Sequence, residues 1–325
     1  MEGNLDGLLH QNLDRDLLAK LWTDLLLGMK YLQENNILHR DLKPSNILYK
    51  CHNALPYLKI SDFGLSKNLG AEHSQGSTGF SSQGGTRCWM ARELLVSTGP
   101  LQHTFASDMF ACGLLMHYIV ANRKHPFEEG IMDNRDSLAY YSALEQNIRN
   151  DSKTLSGDLS EETRDVLEQL LAGTCDRPMA SDTLKHPFFW SNDKKIRFLC
   201  ATGNQREIAT NCVSPVRHQI MNILDPTFLT TPWDNLFPLV YRTLTTGSRG
   251  RRSYLTTSAV DLVRFIRNAY AHVSEVSNPA VRQLLLQEYT FLKELPKLFM
   301  VVYRAVKSGN WDTTREEITS AIESN

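Results

Sequence analysis

A mainly α-helical chain folded as two successive domains is what the sequence predicts, and three observations predict it. The 325 residues suit about two domains of ordinary size. Apolar residues recur at helical spacing before residue 36 and over most of the chain after Thr86. Only two short runs, ILYKC and YLKIS, alternate as strands do, and they flank a polar turn like the arms of a hairpin. Hydrophobic residues at 42% and charged residues at 22% are ordinary for a globular chain and exclude disorder throughout. A formal charge of -1 gives no global basic field, so any contact with nucleic acid has to come from a local patch.

The first helix is read over residues 16–36, where Leu17, Leu18, Leu21, Leu25, Met29 and Leu32 form an apolar stripe that ends at an Asn-Asn pair suited to a C-cap. The start of the chain has acidic and amide residues where a secretory signal needs a basic flank and an apolar run. Residues 70–86, GAEHSQGSTGFSSQGGT, form a flexible loop by composition. The most apolar stretch, Met109 to Ala121, is too short to span a bilayer and carries His117, so a buried core helix is expected. Helical breaks fall near Gly99-Pro100, Pro178, Pro187, Pro215, Pro226 and Pro232. The six cysteines, Cys51, Cys88, Cys112, Cys175, Cys200 and Cys212, form no C-x-x-C pair. They read as reduced thiols of a cytoplasmic or nuclear protein.

The densest chemistry lies in HRDLKPSNIL, His39 to Leu48, followed by SDFG, whose Asp62 lies sixteen residues beyond Asn46. Phosphoryl transfer needs an acceptor for a hydroxyl proton, cations around phosphate, and oxygens that hold metal. With DMFACG (Asp108, Gly113) and CDRP (Arg177) following in order, these motifs resemble the C-terminal lobe of a protein kinase. The resemblance implies Asp41 as the base, Lys43 beside the transferred phosphate, and Asn46 and Asp62 as magnesium ligands for bound ATP or ADP. It also implies phosphorylation in the Ser/Thr-rich loop, with Ser74, Ser77, Thr78, Ser81 and Ser82 as candidates.

Two departures accompany that resemblance. Where kinases carry Ala-Pro-Glu the chain reads Ala91, Arg92, Glu93; the proline is missing, but Glu93 remains to pair with Arg177. Upstream of His39 there is no glycine-rich loop and no strand lysine, so the expectation is a C-lobe alone, with the nucleotide lobe absent and autonomous kinase activity weak or lost. A truncated product of a longer gene is the alternative.

Beyond HPFFW (His186 to Trp190), RRSYLTTSAVDLVRFIRNAYAH places Tyr254, then Arg267 and Asn268 thirteen and fourteen residues on, then His272. This span resembles the all-α ribonuclease domain, often called KEN, of the inositol-requiring kinase/endoribonuclease family and of RNase L. The expected boundaries are residues 1–190 for the kinase C-lobe, 191–308 for the ribonuclease domain and 309–325 for a short tail without a role.

RNA can be cut without metal when its 2′-hydroxyl attacks the adjacent phosphate, provided one group removes that proton and another protonates the departing 5′-oxygen. A histidine, titrating near neutrality, suits the donor. His272 is therefore the candidate general acid, Tyr254 a partner for the 2′-hydroxyl, and Arg267 with Asn268 the phosphate holders. No cofactor is expected for this step. If the helix continues, Asn268 and His272 share a face, with Arg264 one turn earlier. Arg242, Arg249, Arg251 and Arg252 form a local basic strip able to attract RNA, with a solvated loop as the alternative.

The family resemblance further implies RNA as substrate, a nucleotide-sensitive kinase platform and a homodimer, or a heterodimer with a full-length relative. It implies a cytoplasmic location, at the cytosolic face of the endoplasmic reticulum membrane for the full-length family, and a role in the unfolded protein response. A non-catalytic partner or pseudokinase scaffold that modulates a relative is the alternative function.

Overall fold

The computed structural model describes residues 1–9, 13–70, 87–132, 134–135, 137–210, 232–246, 254–287 and 289–324. The chain is mainly helical and divides into two compact units, Met1–Phe189 and Trp190–Asn325. Among the described residues no helix is long and apolar enough to cross a membrane.

In the first unit, β1 (Gly3–Asn4) and α1 (Leu5–Leu8) precede α2 (Arg15–Glu34). Asp14 caps α2 by accepting from the Leu17 N–H at 2.8 Å, and the left-handed Asn36, φ 57°, follows its C-cap Asn35. The apolar stripe of α2 buries Leu18, Leu21, Trp22, Leu25, Leu26, Met29 and Leu32. Its Trp22 Nε1 donates to the Met116 carbonyl at 3.1 Å, which ties α2 to α4 (Phe105–Val120). Helix α4 covers the apolar stretch expected to be a core helix. Thr104 and Ser107 close its N-terminus with a capping box, and nearly every residue along it is buried. Its Gly113 permits close approach to α6 (Glu161–Leu170), because a Cβ there would sit 2.8 Å from the Leu170 Cβ. Helices α3 (Arg92–Val96) and α5 (Leu138–Arg149) pack around a smaller apolar cluster that includes Leu94, Phe110, Phe127 and Ile148.

The two strand-like runs are β3 (Ile47–His52) and β4 (Leu55–Ile60), an antiparallel hairpin in which Ile47 faces Ile60 and His52 faces Leu55. The connection uses Asn53 and Ala54, both left-handed with φ 50° and 64°, as a tight two-residue hairpin turn requires. The β1 strand adds antiparallel to β3, which gives the order β1-β3-β4. A separate two-stranded ladder pairs β2 (Ile37–Leu38) with β5 (Lys67–Asn68). This ladder brackets HRDLKPSN on one side and SDFG on the other. Helix α7 (Ala180–Thr183) follows near the end of the unit.

The second unit is all helical among its described residues: α8 (Asn192–Asn204), α9 (Arg206–Ala209), α10 (Pro238–Thr245), α11 (Ala259–Ala271), α12 (Pro279–Leu286), α13 (Thr290–Glu294), α14 (Leu298–Ser308), α15 (Trp311–Thr314) and α16 (Glu316–Glu323). Helix α11 is the central element, with Val260, Leu262, Val263, Phe265, Ile266 and Ala269 all buried. It packs along α8.

Two sequence-based boundaries need correction. Trp190, expected to close the first domain, packs in the second core against Phe198, Phe299 and Tyr303. Residues 309–325, expected to be a tail, include α15 and α16, whose Trp311, Ile318 and Ala321 are buried in that same core. The cause is the apolar triad itself: Trp311 buries a large ring, and α16 lays one apolar edge on α8.

Candidate active site

The loop between β2 and β3 is fixed from below by Asp108, in the first turn of α4. Its carboxylate accepts the backbone N–H of His39 at 2.7 Å and of Arg40 at 3.1 Å. Burial pushes the Asp108 carboxyl upward, opposed by those two N–H groups. Arg40 takes the left-handed conformation, φ 68°, and its Nε donates to the Leu65 carbonyl at 2.5 Å. His39 is fully buried, with Nε2 2.9 Å from the Ser61 carbonyl and its ring edge-on to Phe63.

These clamps bring Asp41, Lys43 and Asn46 together. The Asp41 Oδ2 accepts from Lys43 Nζ at 2.7 Å and from Asn46 Nδ2 at 3.0 Å, and Asn46 Nδ2 also donates to the Asp41 carbonyl at 2.8 Å. Asp62 sits on the exposed turn beyond β4, left-handed with φ 60°, and its Oδ1 accepts from the Gly64 N–H at 3.3 Å. The anchor suggested by sequence is present: Arg177 forks onto Glu93 at 2.5 and 2.8 Å, and its guanidinium lies 4.7 Å from the Phe110 ring centroid. Burial acts to raise the Glu93 carboxyl, but the hydrogen bonds and charge of Arg177 prevail and hold it below the usual range. The missing proline therefore leaves the ion pair intact.

In the second unit, Tyr254 lies at the start of the segment that leads into α11. Its ring packs against Trp233 and Phe265, and the Arg264 guanidinium covers it at 5.2 Å. Asp261, in the first turn of α11, holds this corner: Oδ1 binds Arg264 at 2.9 Å and Oδ2 accepts the Leu255 N–H at 2.7 Å. The Tyr254 hydroxyl accepts from Asn268 Nδ2 at 2.8 Å, and Asn268 Oδ1 accepts from Arg267 Nη1 at 2.8 Å. Tyr254, Asn268 and Arg267 thus form one hydrogen-bonded row.

His272 stands at the end of the helix rather than on its continued face. It is the C-cap of α11, with φ -115° and ψ 14°, and its N–H still donates to the Asn268 carbonyl at 3.3 Å. Its Nδ1 lies 3.3 Å from Glu275 Oε1, in the short turn that follows. The shared face is expected on condition that the helix continue; α11 ends at Ala271, so His272 stands as its cap and the half-exposed ring sits at the helix terminus.

Sequence reasoning missed Asp261, Glu275 and Asn204, the last of which receives a hydrogen bond from Arg267 Nε. Asp261 and Glu275 were legible as neighbours three residues from Arg264 and His272, whereas Asn204 lies 63 residues from its partner and leaves no local signal. Of the basic strip, Arg242 is exposed in the last turn of α10; Arg249, Arg251 and Arg252 lie outside the described residues, as do Ser74, Ser77, Thr78, Ser81, Ser82 and Cys212.

Comparison with known proteins agrees with this division. Residues 1–189 match the protein kinase domain family, and residues 195–318 match the Ribonuclease 2-5A family. The chain is 31% identical over 298 residues to the serine/threonine-protein kinase/endoribonuclease IRE1a of Arabidopsis thaliana, covering 89% of this chain and 33% of that protein. It is 32% identical over 295 residues to the serine/threonine-protein kinase/endoribonuclease IRE2 of Homo sapiens, covering 87% of this chain and 30% of that protein. A third relative, the inactive serine/threonine-protein kinase/endoribonuclease IRE1-like of Arabidopsis thaliana, is 30% identical over 308 residues, covering 88% of this chain and 52% of that protein. The chain spans about a third of the length of the first two relatives. With a kinase lobe whose Asp108 and Arg177 clamps are formed and a helical unit after it in sequence that matches the Ribonuclease 2-5A family, the chain belongs to the protein kinase family.

Proposed function

We propose that residues 190–325 form a metal-independent endoribonuclease and that residues 1–189 form a kinase-like platform that senses nucleotide and promotes pairing of two copies. The observation that carries the nuclease reading is the row Tyr254–Asn268–Arg267, which ends one turn before His272. Arginine can only donate, so Asn268 must turn Oδ1 towards Arg267 and Nδ2 towards Tyr254. The Tyr254 oxygen is then an acceptor within the row, and its own proton is directed to a substrate oxygen.

In the proposed reaction the 2′-oxygen attacks phosphorus and the bond to the 5′-oxygen breaks. Tyr254 orients the 2′-hydroxyl, whose proton leaves to water. Arg267 and Asn268 face the phosphate and offset its developing charge. His272 protonates the departing 5′-oxygen, aligned by Glu275. The products are a 2′,3′-cyclic phosphate and a 5′-hydroxyl. Two experiments test this chemistry together. In EDTA the 3′ ends of cleaved RNA should carry cyclic phosphate, and RNA with a 2′-deoxy nucleotide at the cut site should stay whole. Cleavage of the deoxy substrate would exclude attack by the 2′-oxygen. Tyr254→Phe, which keeps the ring, should lower the cleavage rate about 100-fold.

For the platform, Asn46 and Asp62 offer an amide and a carboxylate oxygen. Two hard oxygen ligands suit a magnesium ion that takes its remaining ligands from nucleotide phosphates. Bound ATP with magnesium would supply the phosphoryl group, whereas ADP with magnesium would supply only phosphate charge to be neutralised. In this reading Asp41, held by Lys43 and Asn46, would accept the proton of a substrate hydroxyl. The proposed setting is cytoplasmic, with RNA as substrate and serving the unfolded protein response through RNA cleavage. A second reading, a non-catalytic partner that pairs with a longer relative, is favoured by the likeness to the relative named as inactive. Copurification with a longer relative and no RNA cleavage in EDTA would support that reading.

A further inference from the structure

We propose that Asn204 and Glu317, on α8 and α16, are positioning residues that set the orientation of Arg267 towards the RNA phosphate. The proposal rests on the ribonuclease reading of the second unit and extends its machinery into the segment that looked like a tail. Three observations carry it.

The first is a polar chain of fixed sense. Asn204 Nδ2 donates to Glu317 Oε1, and Asn204 Oδ1 accepts from Arg267 Nε. An ionised carboxylate only accepts and a guanidinium only donates, so each end dictates the same orientation of the Asn204 amide. Arg267 Nη1 then continues the chain to Asn268, and Asn268 to Tyr254. The order Glu317–Asn204–Arg267–Asn268–Tyr254 leads from the last helix to the residue assigned to the 2′-hydroxyl.

The second is that Glu317 is itself held. Its Oε2 lies 3.5 Å from Nε2 of the buried Gln205, which also donates to the Ala201 carbonyl at 3.0 Å. The turn before α16 is pinned by Arg315, which donates to Glu207 Oε1 at 2.8 Å and stacks 5.3 Å from the buried Trp311 ring. The helix that carries Glu317 is therefore fixed relative to α8.

The third is steric. Gly203, next to Asn204, leaves room for the Arg267 stem: a Cβ there would lie 2.6 Å from the Arg267 Cβ and 3.1 Å from its Cγ. Arg267 can adopt this path across α8 only because residue 203 has no side chain.

Asn204 and Glu317 are both exposed, so their contacts add little to stability. Their effect falls on where the guanidinium points, and small displacements of a positioning group cost much in rate. The test uses the full chain and an RNA hairpin under single-turnover conditions, with a hairpin carrying a 2′-deoxy nucleotide at the cut site as the probe of affinity. Glu317→Ala and Asn204→Ala should slow cleavage about tenfold or more. Their affinity for the deoxy hairpin should stay within about threefold of the parent, and the unfolding midpoint should not move. Glu317→Gln keeps an acceptor oxygen and should restore most of the rate. In an Arg267→Ala background, Glu317→Ala should cost nothing further, because the group it orients is gone.

A parental rate for Glu317→Ala, an equal loss in the Arg267→Ala background, or a loss that merely tracks a lowered unfolding midpoint each overturns the proposal. His272→Ala separates that failure from failure of the ribonuclease reading. Cleavage that dies with His272→Ala but ignores Glu317 removes the positioning role alone. A parent that leaves the hairpin whole, or a His272→Ala variant that cuts like the parent, removes the reading and the proposal with it.

Discussion

Single residues carry the first unit at a few buried polar points. The Arg177 side chain is almost wholly buried, and it satisfies Glu93, the Ala106 carbonyl and the Ala172 carbonyl together. Arg177→Ala should therefore lower the stability of this unit by about 3 kcal/mol, measured by urea unfolding, because it strands the Glu93 carboxylate. Arg177→Lys should recover little of that loss, since an ammonium cannot fork onto a carboxylate while donating to two carbonyls. His117 and His125 are buried and neutral. Burial pushes His117 down to about 4, against the Lys124 carbonyl that accepts from its Nδ1, and pushes His125 down to about 3. The unfolded chain binds protons at these rings below about pH 6.5, whereas the folded chain does not. Their stabilisation is thus complete above about pH 6.5 and is lost as pH falls towards about 4. For His117 alone the loss approaches roughly 3 kcal/mol, and His117→Gln should flatten that part of the stability profile.

At the scale of elements, local signals and long-range ones part company. Helices α2 and α4 and the β3-β4 hairpin were legible because their apolar spacing and turn residues lie within one window of sequence. Helices α15 and α16 were not, because they are short and mostly polar, and only Trp311, Ile318 and Ala321 mark the buried edge. The same limit applies to the site. Arg267 and Asn268 are neighbours, and Tyr254 sits fourteen residues before Asn268, so the spacing named them; Asn204 and Glu317 join them only through tertiary packing of α8, α11 and α16. The end of α11 at Ala271 was also hidden, since nothing in NAYAHV forces a stop and the helix closes through the His272 cap. Two substitutions test this account of the elements. Trp311→Ala should destabilise the second unit by about 3–5 kcal/mol, which a free tail would not do. Gly113→Ala should cost the first unit about 1–3 kcal/mol by pushing α4 from α6, read from thermal unfolding.

Over the whole molecule, two units with separate cores divide the chemistry. The first holds the loops of a kinase lobe in order: Asp108 beneath the loop after β2, Arg177 beneath Glu93, and Asp41 beside Lys43 and Asn46. The second holds a row of polar groups on α11 with a histidine at its end. If the first unit promotes pairing of two copies, cleavage should rise more steeply than in proportion to protein concentration, and added ADP with magnesium should shift that curve to lower concentration. The most direct measurement of the central claim is cleavage of a fluorescent stem-loop RNA in EDTA, comparing the parent chain with His272→Ala over a range of protein concentrations. The parent should cleave in the presence of the chelator, and His272→Ala should not. Cleavage that needs divalent metal, or that persists in His272→Ala, would contradict it.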